Sequence, residues 1–216
     1  MTRPVRARID LQAVRHNLKL VKKQAANSQV MAVVKANAYG HGAIHTVAAL
    51  ADADSFAVAG LDEAIPLREA GLDKPIVLLE GIFSPQDVEV LEHYRLQAVI
   101  HDVSQIHWLE EAAPAGPLDL WLKIDTGMHR LGFVAADIEP AWHRLSQLTA
   151  VQVGSLSWMS HLACADAPCD PTTDSQLASF LELTREHPAP RSLANSAAIL
   201  TRPDCHFDWV RPGIML

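Results

Sequence analysis

Val30-Met31-Ala32-Val33-Val34-Lys35-Ala36-Asn37-Ala38-Tyr39-Gly40-His41-Gly42 is the stretch from which the fold can be read. An unbroken apolar run ends in an amine and gives way at once to small, polar and glycine residues. The change predicts a buried strand over residues 30–35 that delivers Lys35 to the mouth of a site. A lysine placed there is costly unless paired or put to chemical use. Desolvation lowers an amine's pKa and suits it to Schiff-base formation. For an isolated lysine, snorkelling out of a strand end would be the simpler account. The rest of the chain removes that isolation.

Downstream, short apolar runs alternate with helical patterns. Strands are predicted over 30–35, 56–59, 75–79, 97–101, 119–123, 154–161, 192–194 and 209–214. Between them, 61–71 begins with acids and ends at Gly71, as helices prefer. Ser84 offers an N-cap ahead of Pro85, Asp102 or Ser104 caps a helix running towards Ala113, and Asp137 precedes one through Trp142 and Leu148. A further helix covers 172–186. Before the first barrel strand, 6–11 reads as a short strand and 18–24 as a helix, with Asp10 available as a cap. Strands alternating with helices specify a parallel sheet with crossovers. Eight strands in this length fit a (β/α)8 TIM-type barrel better than an open doubly wound sheet, and no Gly-x-Gly-x-x-Gly follows the first strand. The fold class is therefore α/β, a single barrel domain over residues 1–216.

The sequence stops at Leu216, at the end of the eighth predicted strand. A flanking helix buries about three to five large apolar side chains, at roughly 1.5–3 kcal/mol each. The net stability of a domain is only about 5–15 kcal/mol. A barrel lacking its last helix is therefore expected to be a fragment of a longer protein.

Composition narrows the function. With 49% hydrophobic and 20% charged residues the chain has a globular profile, and a net charge of -7 argues against a nucleic-acid partner. No apolar run reaches the length of a membrane span, and no apolar segment follows the basic start at Met1–Arg6 as a signal peptide would require. Cys164, Cys169 and Cys205 do not form a disulfide framework, which predicts a reduced, cytoplasmic setting. His161 with Cys164 and Cys169 lacks a second tight ligand pair, so no metal is expected.

In a barrel, chemistry gathers where strands end. Lys35 and Tyr39 follow the first strand; Lys123, Asp125 and Arg130 follow the fifth; Ser160 and His161 end the sixth; Asn195 and Ser196 end the seventh; Arg211 and Gly213 belong to the eighth. Singly, each has an ordinary explanation, such as a core histidine, a helix cap or a surface ion pair with Asp125 or Asp137. Together they fall on one rim. Ser196, with backbone N–H groups of a short helix and the close approach that Gly213 permits, makes an anion site. A lysine amine, a phosphate cradle and an aromatic-sized gap describe pyridoxal 5'-phosphate (PLP).

Four motifs in order carry a family resemblance: Lys35 with Tyr39-Gly40-His41-Gly42; Lys123 to Gly132; Asn195-Ser196-Ala197-Ala198; and Arg211-Pro212-Gly213-Ile214. Ile9-Asp10-Leu11-x-Ala13-x-x-x-Asn17 also fits. The chain resembles the N-terminal barrel domain of bacterial alanine racemases. The resemblance implies PLP on Lys35, which then serves as one of two bases. It implies that Tyr39, Ser196 and the backbone of Gly213 and Ile214 hold the phosphate, with Asn195 beside them. Arg211 would face the pyridine nitrogen, and His161 would pack near the ring and support Arg211. Arg130 would reach the PLP phenolic oxygen and the substrate carboxylate, oriented by a carbamylated Lys123. The second base would be a tyrosine of a C-terminal β-domain on the partner subunit of a homodimer, a domain these 216 residues do not include. The implied substrate is alanine. A single-domain PLP-homeostasis barrel and a broader amino-acid racemase remain alternatives at this level.

Overall fold

The computed structural model of the chain describes residues 6–151 and 155–216. Eight parallel strands close into a barrel in chain order. They are β1 (Gln29–Val33), β2 (Ser55–Val58), β3 (Ile76–Leu78), β4 (Gln97–Ile100), β5 (Leu120–Lys123), β6 (Leu156–Met159), β7 (Arg191–Ser192) and β8 (Trp209–Val210). β8 closes the ring by pairing Trp209 with Gln29 and Val210 with Val30. Helices α1 (Leu11–Gln24), α2 (Ala43–Ala49), α3 (Leu61–Glu69), α4 (Gln86–Tyr94), α5 (Val103–Ala112), α6 (Ala135–Ser146), α7 (Thr172–Leu183) and α8 (Ser196–Thr201) surround it. This is a (β/α)8 TIM-type barrel.

The strands read as continuous apolar runs because both faces are buried. Successive side chains alternate in direction. Met31, Val33, Ala57, Val77, Val99, Trp121 and Met159 fill the barrel interior. Their neighbours, such as Ala32, Phe56 and Trp158, pack against the helices in a second, larger core. Among the described residues no helix is long and apolar enough to cross a membrane.

Several local expectations need correction. Residues 6–10 form no strand; α1 starts at Leu11, earlier than expected, because Asp10 accepts the N–H groups of Gln12 and Ala13 and caps it there. Asp137 does not precede α6 but sits in its first turn, behind Val134. The cap expected of Ser84 is reversed: the Asp87 carboxylate reaches back to the N–H groups of Phe83 and Ser84. The expectation at Asp102 stands, as a capping box with Gln105. β8 stops at Val210, since Pro212 has no N–H to continue the ladder. Gly154, the first residue of the sixth predicted strand, and residues 1–5 lie outside the described residues.

α1 packs between α2 and α8. Val14, Leu18 and Val21, at helical spacing, enter the main core there.

Candidate active site

Four chemically distinctive residues each lie two places beyond a residue that faces the barrel interior. Lys35 follows Val33, Lys123 follows Trp121, His161 follows Met159, and Arg211 follows Trp209, whose ring packs edge-on against Trp121. Period two aims such side chains along one inner column, towards the C-terminal mouth of the barrel. All four line one cavity of about 610 Å³, together with Tyr39, Arg130, Asn195, Ser196, Gly213 and Ile214.

Arg211 is only 5% exposed. Its guanidinium donates to Ser192 Oγ at 2.6 Å, to the carbonyls of Ser160 and Leu193, and to Nδ1 of His161 at 3.4 Å. Burial, then Arg130, push its pKa down to about 10, so it stays protonated at neutral pH. Because Nδ1 of His161 accepts, the ring carries its proton on Nε2. Burial, then Arg211, Lys123, Arg130 and Lys35, push the His161 pKa down to about 2, and the imidazole is neutral.

Lys123 is 7% exposed. Burial first, then Arg211 and Arg130, lower its pKa to about 7, against a smaller opposing effect of Asp125. Near neutral pH Lys123 can therefore lose its proton, as an ordinary lysine does not. Asp125 is turned away, accepting N–H groups from Gly127, Met128 and His129 and the His129 ring. The loop returns to β5 through Asp125 N–H to Phe133 O and Phe133 N–H to Lys123 O, both 2.9 Å. Gly132 permits this return: its φ is +125°, and a Cβ there would stand 2.8 Å from the backbone of Ile124 and Asp125. Arg130, itself exposed, is carried on that loop to the cavity wall.

Lys35 is not the last residue of β1 but opens a left-handed turn. Ala36, Asn37, Ala38 and Tyr39 have φ of 51°, 55°, 54° and 52°. Such a conformation costs L-residues about 1–2 kcal/mol each. Asn37 helps hold it by accepting Ala43 N–H on its side chain and Gly42 N–H on its carbonyl. At the turn's far end the Tyr39 hydroxyl lies over Gly213, where a Cβ would approach it to 2.4 Å. Ser196 Oγ accepts Gly213 N–H at 3.0 Å and Met215 N–H at 3.4 Å. Tyr39, Ser196 and Gly213 thus form one small polar cradle beside the cavity.

Two expected phosphate ligands are placed less directly. The side chain of Asn195 is committed to Ala198 N–H and the Leu162 carbonyl, so it caps α8 and ties loops together. Ile214 is 77% exposed, at the cavity edge. Sequence reasoning missed Ser192, Thr126, Gln176 and Glu63, which support the site from behind. Each is a polar residue in a strand, helix or loop pattern that a cap or a satisfied core residue produces just as well.

The chain matches the family described as "Alanine racemase, N-terminal domain" over residues 9–216. It is 51% identical over 215 residues to the alanine racemase of Azoarcus sp. (strain BH72), covering 99% of this chain and 60% of that protein. It is 49% identical over 216 residues to the biosynthetic alanine racemase of Pseudomonas aeruginosa, with 99% and 60% covered. The crystal structure of the biosynthetic alanine racemase from Pseudomonas aeruginosa superposes with a TM-score of 0.91 at 47% identity, over 95% of this chain and 57% of that one. The alanine racemase of Bacillus anthracis with bound L-Ala-P superposes with a TM-score of 0.84 at 28% identity, over 95% and 55%. The chain spans about three-fifths of the length of the curated relatives it matches. Motifs, barrel and comparisons agree that this chain belongs to the alanine racemase family, corresponding to its N-terminal domain.

Proposed function

We propose that this chain binds PLP at Lys35 and takes part in interconverting L- and D-alanine. The observation that carries the reading is the convergence of Lys35, Lys123, Arg130, Arg211 and a neutral His161 on one cavity beside the Tyr39–Ser196–Gly213 cradle. That donor set fits the cofactor. Lys35, Lys123, Arg130 and Arg211 outweigh Glu80 and Asp166 in the cavity lining, as a phosphate and a substrate carboxylate require, and the missing Cβ of Gly213 lets the Tyr39 hydroxyl approach the cradle. When bound, PLP supplies an electron sink for the carbanion left by loss of the α-proton.

The chain's own groups have separable tasks. Lys35 Nζ holds the cofactor and moves a proton at the substrate Cα on one face. The hydroxyls of Tyr39 and Ser196 bind the phosphate. Arg211, held by Ser192 and the carbonyls of Ser160 and Leu193, would be the group that faces the ring nitrogen. A guanidinium donates without surrendering its proton, so it would leave that nitrogen unprotonated. PLP held in that way would be a weaker electron sink, which would favour racemisation over transamination. Arg130 holds the substrate carboxylate. The free amine of Lys123 attacks CO2: an N–C bond forms, one C=O π pair moves to oxygen, and the nitrogen loses a proton to solvent. The resulting carbamate would place an anion near Arg130 and Arg211, the two cations whose charges act on Lys123.

Racemisation also needs a base on the opposite face. Tyr94 ends α4 on the outside of the barrel, where its carbonyl accepts Arg68 Nε. The reading therefore takes the second base from a C-terminal β-rich domain of a partner subunit, as the resemblance implies, with the dimer in the cytoplasm.

Absorbance on adding PLP, followed by borohydride reduction and peptide mapping, tests the site; D-alanine formation from L-alanine tests the reaction. An adduct on a lysine other than Lys35 rejects the site. An adduct on Lys35 without D-alanine, in a protein that carries the second base, rejects the racemase in favour of a PLP-storage barrel.

A further inference from the structure

We propose that Glu63 is the positioning residue that sets where Lys35 stands in the cavity. The proposal rests on Lys35 being the lysine that carries PLP. Glu63 lies in the first turn of α3, outside the barrel. Its carboxylate divides between two strand ends. Oε1 accepts the N–H of Ala36 at 2.6 Å, and Oε2 accepts the N–H of Ala59 at 2.8 Å. Ala59 directly follows β2; Ala36 directly follows Lys35. One rigid acid therefore locks the peptide bond that leaves Lys35 to the end of the neighbouring strand.

The position matters because of what starts at Ala36. It is the first of four consecutive residues with φ between 51° and 55°. Non-glycine residues keep such a run only where the surroundings over-determine it. Ala38 N–H to Val34 O, Gly40 N–H to Ala36 O and Gly42 N–H to Asn37 O fix the shape of the turn, but these bonds close within the turn and its flanks. The Glu63 bond comes from another element and fixes the turn's place on the barrel. Both bonds are charge-assisted, and a carboxylate alone among the side chains of this size offers two acceptor atoms with no donor to misdirect. Released from Glu63, the backbone after Lys35 would be free to relax, and the amine would no longer be delivered to one point. Tyr39, four residues on, is still held at the cradle by the close approach of Gly213 and by the Asn37–Ala43 bond. The effect should therefore fall on Lys35 more than on the phosphate site.

Two ligands separate these sites. PLP condenses with Lys35; pyridoxamine 5'-phosphate shares its ring and phosphate but carries an amine in place of the aldehyde and cannot condense. Affinities for both are measured, by absorbance and calorimetry, in the wild type, Glu63→Ala and Glu63→Gln. In Glu63→Ala, PLP binding should weaken by on the order of tenfold to a hundredfold, as loss of charge-assisted bonds predicts. Pyridoxamine 5'-phosphate binding should stay close to wild type. Glu63→Gln keeps the shape and one acceptor, and should fall between the two for PLP. Unchanged PLP affinity in both variants overturns the proposal. An equal loss of both ligands also overturns it, since that marks a general loss of structure. A wild type that shows no adduct on Lys35 is a different result, because it removes the PLP reading itself and this proposal with it.

Discussion

At the scale of single residues, Lys123 shows most clearly how the fold changes a side chain's chemistry. The sequence places a lysine at the end of a buried strand twice, and composition does not tell the two apart. The structure desolvates Lys123 inside the barrel mouth and lowers its pKa from 10.5 to about 7. Below pH 7 the native protein must keep a buried charge that the unfolded chain exposes to water. Between pH 7 and 10.5 the unfolded chain binds more protons than the native one, so stability rises with pH across that window. Each unit of the shift is worth about 1.4 kcal/mol, and the full penalty develops below pH 7. In bicarbonate-free buffer, Lys123→Met should be more stable than the wild type at pH 6 by about 2–4 kcal/mol. The gap should shrink towards pH 10.5 in urea unfolding at a series of pH values. A gap that does not change with pH would show that the amine is not desolvated.

At the scale of elements, the loops at the barrel mouth are tied in pairs by side chains from the outer helices. Glu63 of α3 joins the loops after β1 and β2. Gln105 of α5 joins those after β3 and β4, accepting His101 N–H and donating to the carbonyls of Glu80 and Ile82. Gln176 of α7 joins those after β5 and β6, donating to Thr126 Oγ1 at 3.3 Å and the His161 carbonyl at 2.9 Å while accepting Ala163 N–H. Ser196 of α8 joins the last pair. Gln105 and Gln176 are both almost fully buried, so their partners have no water to turn to. Gln176→Leu should cost about 2–3 kcal/mol in chemical denaturation and speed hydrogen exchange at Ala163. A cost under about 0.5 kcal/mol, the level of an ordinary surface change, would mean the tie is idle. None of these ties is visible in the sequence. The Asp102–Gln105 capping box has a local spacing, but it does not reveal the ties from Gln105 to Glu80 and Ile82, and the partners of Gln176 lie 13 to 50 residues away. The strands were legible because their apolar runs are local, although their ends were not: β7 and β8 are two residues each, shortened where Pro212 and the loops leave the ladder.

At the scale of the whole molecule, β8 pairs with β1 to close the barrel, and α1 packs outside it between α2 and α8. The barrel's chemistry is a different matter. The chain contains two tyrosines, one against Gly213 at the cavity and one on the outside of the barrel. If the second base belongs to a partner's β-rich domain, residues 1–216 should bind PLP yet racemise alanine about 10²–10⁴ times more slowly than a protein carrying that domain. Parallel assays of the two proteins, loaded with PLP to the same occupancy, check this. Equal turnover would place both bases within the barrel.

The order of residues along the chain by itself determined the eight-stranded barrel and the rim on which Lys35, Lys123, Arg130, His161, Ser196 and Arg211 meet. It could do so because apolar runs, turn residues and the two-residue alternation of a strand are local signals. Only the tertiary structure decided which amine loses its water, which histidine stays neutral, and which glutamic acid holds the strained turn after Lys35. Those properties are sums over neighbours supplied by distant strands and helices, and they come into being when the ring closes.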